Sequence, residues 1–458
     1  MSHRARATAA AALLVLFGVL VSSSPADAHS GTQSYVFLEI FDTEIVGRVE
    51  YPIKDLNSVL GLDIPIGTDD TLDALVANSA AIETYTRGHF SMGPADGATT
   101  WSYEVGEIDV LDLDSNSYAV VEFAVEERFD PPPRTFTVTY DGIIENDGDR
   151  SALLVIATDW DSGTFDNEAN ELVRFSAGDT TQVVDLEDGS WFTGMTAVIE
   201  LGAEHIRIGS DHILFIFALV LPSVLVFRRW HDDDGARWHP SARFGSSLWR
   251  VLKIVTMFTI AHSITLALGG LGVVELPSRF VEAVIALSIA AAALHNLHPV
   301  FTDKEWVLAF GFGLFHGFGF AGLLSDLGLD RSNRIPSLLG FNIGVELGQA
   351  AIILMVFPIL FILRRTTLYV PILNASSIAL AVIATAWAAE RILDYDTRVD
   401  RLVNPILRWP RSALLVVAGL VIAAAIYAFE RSRGRLRPVV DPDVAEQTDP
   451  PARELVEV

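Results

Sequence analysis

The chain has 458 residues, half of them hydrophobic, with no cysteine and a formal net charge of −26. Without thiols it holds no disulfide, iron–sulfur cluster, thiolate zinc site or cysteine nucleophile, and five methionines do not make a thioether path for Cu(I). The charge is lopsided: residues 29–204 carry 35 acidic and 7 basic side chains, a surface that repels nucleic acid and attracts cations, while the remainder is near neutral.

Residues 1–28 read as a signal peptide, with Arg4 and Arg6 before a short apolar stretch and Ala26-Asp27-Ala28 as the cleavage signal. The mature chain then starts at His29, whose free α-amine beside an imidazole is a chelator for Cu(II) or Ni(II). His89 is the other histidine of the outer region. Residues 29–200 are expected to form an acidic, β-rich extracytoplasmic domain. Strand-like runs at 34–40, 119–125, 135–140 and 152–157, separated by turns such as Asp141-Gly142, suggest a β-sandwich. A helix is expected around 71–85. The carboxylate runs Asp159, Asp161, Asp166, Glu168 and Asp109, Asp112, Asp114 lack the twelve-residue calcium-loop pattern and read as solvated turns.

The fold class expected is therefore multidomain: a β-sandwich-like outer domain, then an α-helical polytopic bundle of about seven membrane helices over 201–430. Apolar runs at 205–227, 248–272, 279–299, 306–325, 338–363, 368–390 and 412–429 are long enough to cross a bilayer. With the mature start outside, Arg228, Arg229, Arg237, Arg243 and Arg250 face the cytoplasm, as do Arg364, Arg365 and the arginines at 431–437. The arginine-rich segment 391–411 falls outside and reads as an amphipathic helix on the membrane surface. Residues 431–458 are expected to be a disordered cytoplasmic tail. The chain is placed in the plasma membrane, with the lipid bilayer as its first partner.

Six of the eleven histidines fall in these spans: His205, His212, His262, His295, His298 and His316. Ionisable groups there are expensive and mark a site. At a rise of about 1.5 Å per residue, His212 and His262 lie about 10 Å below the outer face, and His316 and Glu346 lie near the midplane. His295 and His298 lie near the inner end of their span. His205 and His212 share a helical face about 10 Å apart along the axis, so one ion takes both only where Gly209-Ser210 distorts the helix. Asp211 either pairs with Arg207, four residues earlier, or serves the metal directly or through a histidine. Glu282 stands near the outer end of the third span, where Ser288 and His295 share a face. In the fifth span Gly340, Gly344 and Gly348 make a small-residue stripe beside the polar stripe Asn342, Glu346, Gln349. The metal candidates are thus His205, Asp211, His212, His262, His316 and Glu346, with Glu282, His295, His298, Asn342, Gln349 and His29 as accessories. Imidazole and carboxylate without sulfur suit nickel, cobalt, zinc or Cu(II).

The His205-x5-Asp211-His212 element, Phe315-His316-Gly317 and the glycine-rich polar fifth span resemble the HupE/UreJ family over roughly 200–390. The family's membrane proteins are associated with nickel supply to hydrogenase and urease, and some are nickel permeases. The resemblance implies that His205, Asp211, His212 and His316 handle metal. One departure stands out: the permease branch continues its second motif with another His and a Glu, where this chain has Gly317-Phe318-Gly319-Phe320-Ala321-Gly322-Leu323.

The leading expectation is a divalent transition-metal transporter or metal-handling membrane protein. The alternatives are a non-transporting accessory or sensor protein whose outer domain binds a protein partner, and a haem-binding electron carrier. No nucleophile, base and oxyanion arrangement stands out, so an enzyme is not expected.

Overall fold

The computed structural model describes residues 33–440 apart from 114–115, 145–149, 166–169, 187–188, 229–236, 275, 302–303, 326–332, 396 and 408–410. The expected signal peptide, His29 and the end of the expected tail lie outside the described residues.

The N-terminal region opens with β1 (Ser34–Ile40) and β2 (Ile45–Pro52), followed by α1 (Ile53–Leu60), α2 (Thr71–Ala77) and α3 (Ser79–His89). Next come β3 (Phe90–Pro94), β4 (Tyr103–Leu113), β5 (Asn116–Val125), β6 (Thr135–Tyr140), β7 (Ala152–Asp159), β8 (Asn170–Phe175) and β9 (Thr181–Asp185). A six-stranded sheet runs β4-β5-β2-β1-β7-β8 and a three-stranded sheet runs β3-β6-β9. Of the β-sandwich expected, the structure shows a sheet-containing region whose larger sheet is mixed, because β1 pairs β7 in parallel, Ser34 opposite Ala152. Both strands sit inside the sheet, so β7 is buried at every position and shows no alternation. β6 keeps the two-residue period, with Phe136, Val138 and Tyr140 inward. One apolar core joins the two sheets and the helices through Val36, Leu38, Phe90, Phe136, Leu75 and Ile82. At the end of β7, Arg134 grips the buried Asp159 with two bonds of 2.8 and 2.9 Å.

Burial raises the Tyr51 and Tyr140 phenols well above their usual range, and it pushes Tyr103 and Tyr118 up to about 12. A phenol whose folded value exceeds its unfolded value of about 10 adds stability that is complete below pH 10 and lost as pH rises through the folded value. We therefore expect the N-terminal fold to weaken between about pH 10 and 12. In a phenolate absorbance titration these four of the nine tyrosines should ionise late. A single common transition near pH 10 would contradict the buried phenols.

The helical region comprises α4 (Trp191–Ile208), α5 (Ser210–Ser223), a hairpin of β10 (Leu225–Arg228) and β11 (Arg237–Pro240), α6 (Phe244–Gly270), α7 (Ser278–Leu297), α8 (Glu305–Ser325), α9 (Arg334–Leu363), α10 (Tyr369–Leu393), α11 (Asp400–Leu407) and α12 (Arg411–Ser432). Among the described residues five helices, α6, α7, α9, α10 and α12, are long and apolar enough to cross a membrane, and α4 with α5 makes six if the bent pair is one span. The seven-span expectation is thus supported only as five to six. The stretch expected at 306–325 is helical as α8. The first expected span, 205–227, is corrected: helix begins earlier, at Trp191, breaks at Gly209 and turns by 74° into α5. The arginine-rich segment holds the short helix α11. Beyond α12 the chain stays attached through Val440, whose N–H donates to Pro240 O at 2.8 Å.

Small residues set the helix contacts. A Cβ on Gly344 would stand 1.9 Å from Ile199 O, and one on Gly202 would stand 2.0 Å from Phe341 O, so α4 and α9 touch backbone to backbone. Gly313 and Gly317 bring α8 nearly as close to α6, with Cβ positions 2.5 Å from Phe258 O and 2.3 Å from His262 O. The N-terminal region joins the bundle where Trp160 Nε1 donates to Trp191 O at 3.2 Å and Asn333 Nδ2 donates to Asp42 Oδ1 at 3.2 Å.

Candidate metal centre

The break at Gly209 builds the site. In a straight helix His205 and His212 would stand about 10 Å apart along the axis. With the chain extended at Gly209 and α5 turned away from α4, their ring centroids are 4.6 Å apart. His212 lies 5.5 Å from His316 of α8 and 6.2 Å from His262 of α6, centroid to centroid. Four helices thus deliver four imidazoles to one place. Two groups form around His212: His205, His212 and His262, and Asp211, His212 and His316, each with ligand atoms within 4.8 Å of one another.

Three of the four rings are oriented from behind. His212 Nδ1 meets Asp211 Oδ1 at 3.0 Å, His262 Nδ1 meets Asn342 Oδ1 at 3.4 Å, and His316 Nε2 meets Ser288 Oγ at 3.0 Å. The remaining nitrogens, Nε2 of His205, His212 and His262 and Nδ1 of His316, are buried without a hydrogen-bond partner. Buried polar atoms are rarely left so. A carboxylate or amide on one imidazole nitrogen, with the other free, is the arrangement that presents a lone pair to a metal. Aromatic walls hold the rings in place: Phe320 lies 4.1 Å from His205, and Phe258 lies 4.9 Å from His316, between centroids. Metal–nitrogen bonds of about 2.0–2.1 Å leave ligand atoms at most about 4 Å apart, so closing on an ion takes ring movements of up to about one ångström.

The centre opens into a cavity of about 340 Å³ lined by His205, Asp211, His212, His316, Glu282 and Arg391. Glu282 and Arg391 pair at 3.3 Å, and Asn404 of α11 accepts a hydrogen bond from Ser210 at the same cavity.

The other candidates are placed as follows. Arg207 pairs with Glu204, leaving Asp211 to His212. Glu346 belongs to neither three-residue group; Thr256 Oγ1 donates to its Oε1. Gln349 Oε1 accepts from Thr259 Oγ1 at 2.8 Å. His295 stands apart, its Nε2 accepting from Phe301 N–H at 3.1 Å, and His298 is exposed at the end of α7. His89 pairs with Asp141 at 2.7 Å in the N-terminal region. Asn404, Ser210 and Thr256 were missed by sequence reasoning, since a lone small polar residue carries no pattern until its partner is known. Ser288 was placed on the face of His295, whereas it serves His316. Removing that support by Ser288→Ala is expected to weaken metal binding by about tenfold, as for other outer partners of metal-bound histidine. Isothermal titration checks it, and unchanged affinity would contradict the role.

The class these features define is a multi-pass membrane protein with a buried polyhistidine centre. Residues 180–391 match the family described as HupE / UreJ protein, so this stretch of the chain is similar to that family. The match takes in α4 to α10, including every residue of the imidazole cluster, and leaves most of the N-terminal region outside. No curated protein matches the chain.

Proposed function

We propose that the chain transports a divalent transition metal of the nickel or cobalt type, with His205, His212, His262 and His316 as its intramembrane ligands. The observation that carries the reading is the convergence of four buried imidazole nitrogens that have no hydrogen-bond partner. Asp211 orients His212, while Asn342 and Ser288 orient His262 and His316. Borderline metals favour such nitrogen donors over the oxygen cages of calcium or magnesium. The family is associated with nickel supply to hydrogenase and urease, which agrees with this donor set. The histidine and glutamate that the permease branch carries after His316 are absent, and imidazoles from α4, α5 and α6 take their place beside it. In this reading the N-terminal region faces outward from the plasma membrane, and its acidic surface concentrates cations near the cavity.

The test is uptake of radiolabelled nickel by proteoliposomes. His316→Ala should reduce it by at least about tenfold, whereas His298→Ala should leave it near wild type. Uptake should also fall on acidification, because a protonated imidazole binds no metal. Equal uptake by wild type and His316→Ala would remove the transport reading.

A further inference from the structure

We propose that α6 and α9 carry a second cation site, made only of oxygen donors and suited to a monovalent ion such as sodium. Glu346 and Gln349 lie three residues apart on α9 and face Thr256 and Thr259, three apart on α6. Thr256 Oγ1 donates to Glu346 Oε1, and Thr259 Oγ1 donates to Gln349 Oε1 at 2.8 Å. Two hydroxyls, an amide oxygen and a carboxylate therefore line the contact between α6 and α9 within about one helical turn.

The carboxylate is unfinished. Glu346 Oε2 is buried without a hydrogen-bond partner, and among the described residues no arginine, lysine or histidine forms an ion pair with Glu346. The nearest lysine along α6, Lys253, is exposed. A carboxylate within a membrane span is costly unless a cation compensates it. The imidazole cluster does not supply that cation. Thr256 lies six residues before His262, about 9 Å along the helix.

Donor chemistry and charge then select the ion. Oxygen donors favour hard cations, and imidazoles favour borderline transition metals, so the two sites differ in preference. One carboxylate neutralises one monovalent cation, whereas a divalent ion would leave a net charge in a lipid-shielded interior. Asn342 links the sites: it stands one turn from Glu346 on α9, and its Oδ1 faces His262 Nδ1. Sodium bound at Glu346 is therefore placed to change nickel affinity, and nickel must change sodium affinity by the same factor. That coupling role rests on the transport reading; the sodium site itself does not.

Equilibrium binding of radiolabelled sodium to the purified full chain in detergent tests the site. We expect saturable binding at one site per chain. Glu346→Gln should weaken it at least about tenfold, and Thr256→Val, which keeps the carboxylate, should weaken it by a smaller factor. His212→Ala should keep sodium binding while losing nickel, which separates this site from the imidazole centre. Thermal unfolding of each variant shows that it is folded. Absence of saturable sodium binding by the wild type, or wild-type affinity in both Glu346→Gln and Thr256→Val, would overturn the proposal. So would sodium binding that His212→Ala abolishes.

Discussion

His212→Ala is expected to lower nickel affinity by at least about 100-fold and to abolish uptake. His212 is the only residue shared by the two ligand groups, so its loss leaves each with two members. Its neighbour Asp211 would then face a space with no imidazole to orient. Changing an outer partner of a metal-bound histidine costs about 10- to 100-fold, and loss of the ligand itself costs at least the upper figure. The ring is buried against His205 and His316, so alanine also leaves a small cavity, and stability must be read alongside affinity. His212→Gln serves as the companion variant, filling most of that space with a poor metal donor. Nickel titration of both variants, with thermal unfolding as the control, gives the answer. Affinity within about threefold of wild type in the folded variants would place the ion elsewhere.

A single methyl group at Gly209 should have the next largest effect. A Cβ there would stand 2.8 Å from His205 O, 2.8 Å from His212 Nδ1 and 3.2 Å from Asp211 Oδ1. The backbone at Gly209, φ −70° and ψ 99°, is open to alanine, so the cost comes from crowding and not from the dihedral angles. Relief requires the His212 ring or the α4 terminus to move, which separates the two histidines that the bend brings together. We expect Gly209→Ala to weaken nickel binding by about 10- to 100-fold, or about 1.4–2.8 kcal/mol. Gly311→Ala is the matched control, because nothing lies within 4 Å of a Cβ at that position. If the two variants bind nickel alike, the bend does not set the site.

Much of the architecture was legible because membrane helices declare themselves by apolar length. Each expected apolar stretch from 248 onward is helical, and the glycine stripe at 340, 344 and 348 does mark a close helix contact. The partner of that stripe, α4, was not legible. It begins at Trp191 with a run that contains Glu200, Glu204 and Arg207, too polar to stand out as part of a span. Strands β1, β5, β6 and β7 follow from their patterns, while the parallel pairing of β1 with β7 joins residues more than a hundred positions apart and leaves no local trace.

The metal candidates divide along the same line. His212, His262 and His316 were drawn together by depth alone, and the structure brings their rings within 5.5 to 6.2 Å of His212. His205 was placed a helical turn and more away because the arithmetic assumed a continuous helix. Only Gly209-Ser210 in mid-run hinted otherwise, and a glycine does not state the direction in which a chain turns. Glu346 was read as sharing the histidines' depth, but its Oε1 is taken by Thr256 and it stands outside both ligand groups. A carboxylate and a threonine ninety positions apart give no joint signal in a single sequence.

X-ray absorption at the nickel edge on the nickel-loaded full chain measures the donor shell directly. The imidazole centre predicts at least three histidine nitrogens around the ion, with the outer-ring scattering that imidazole produces, and a shell that loses nitrogen in His212→Ala. A shell of oxygen donors alone, identical in the two proteins, would contradict it.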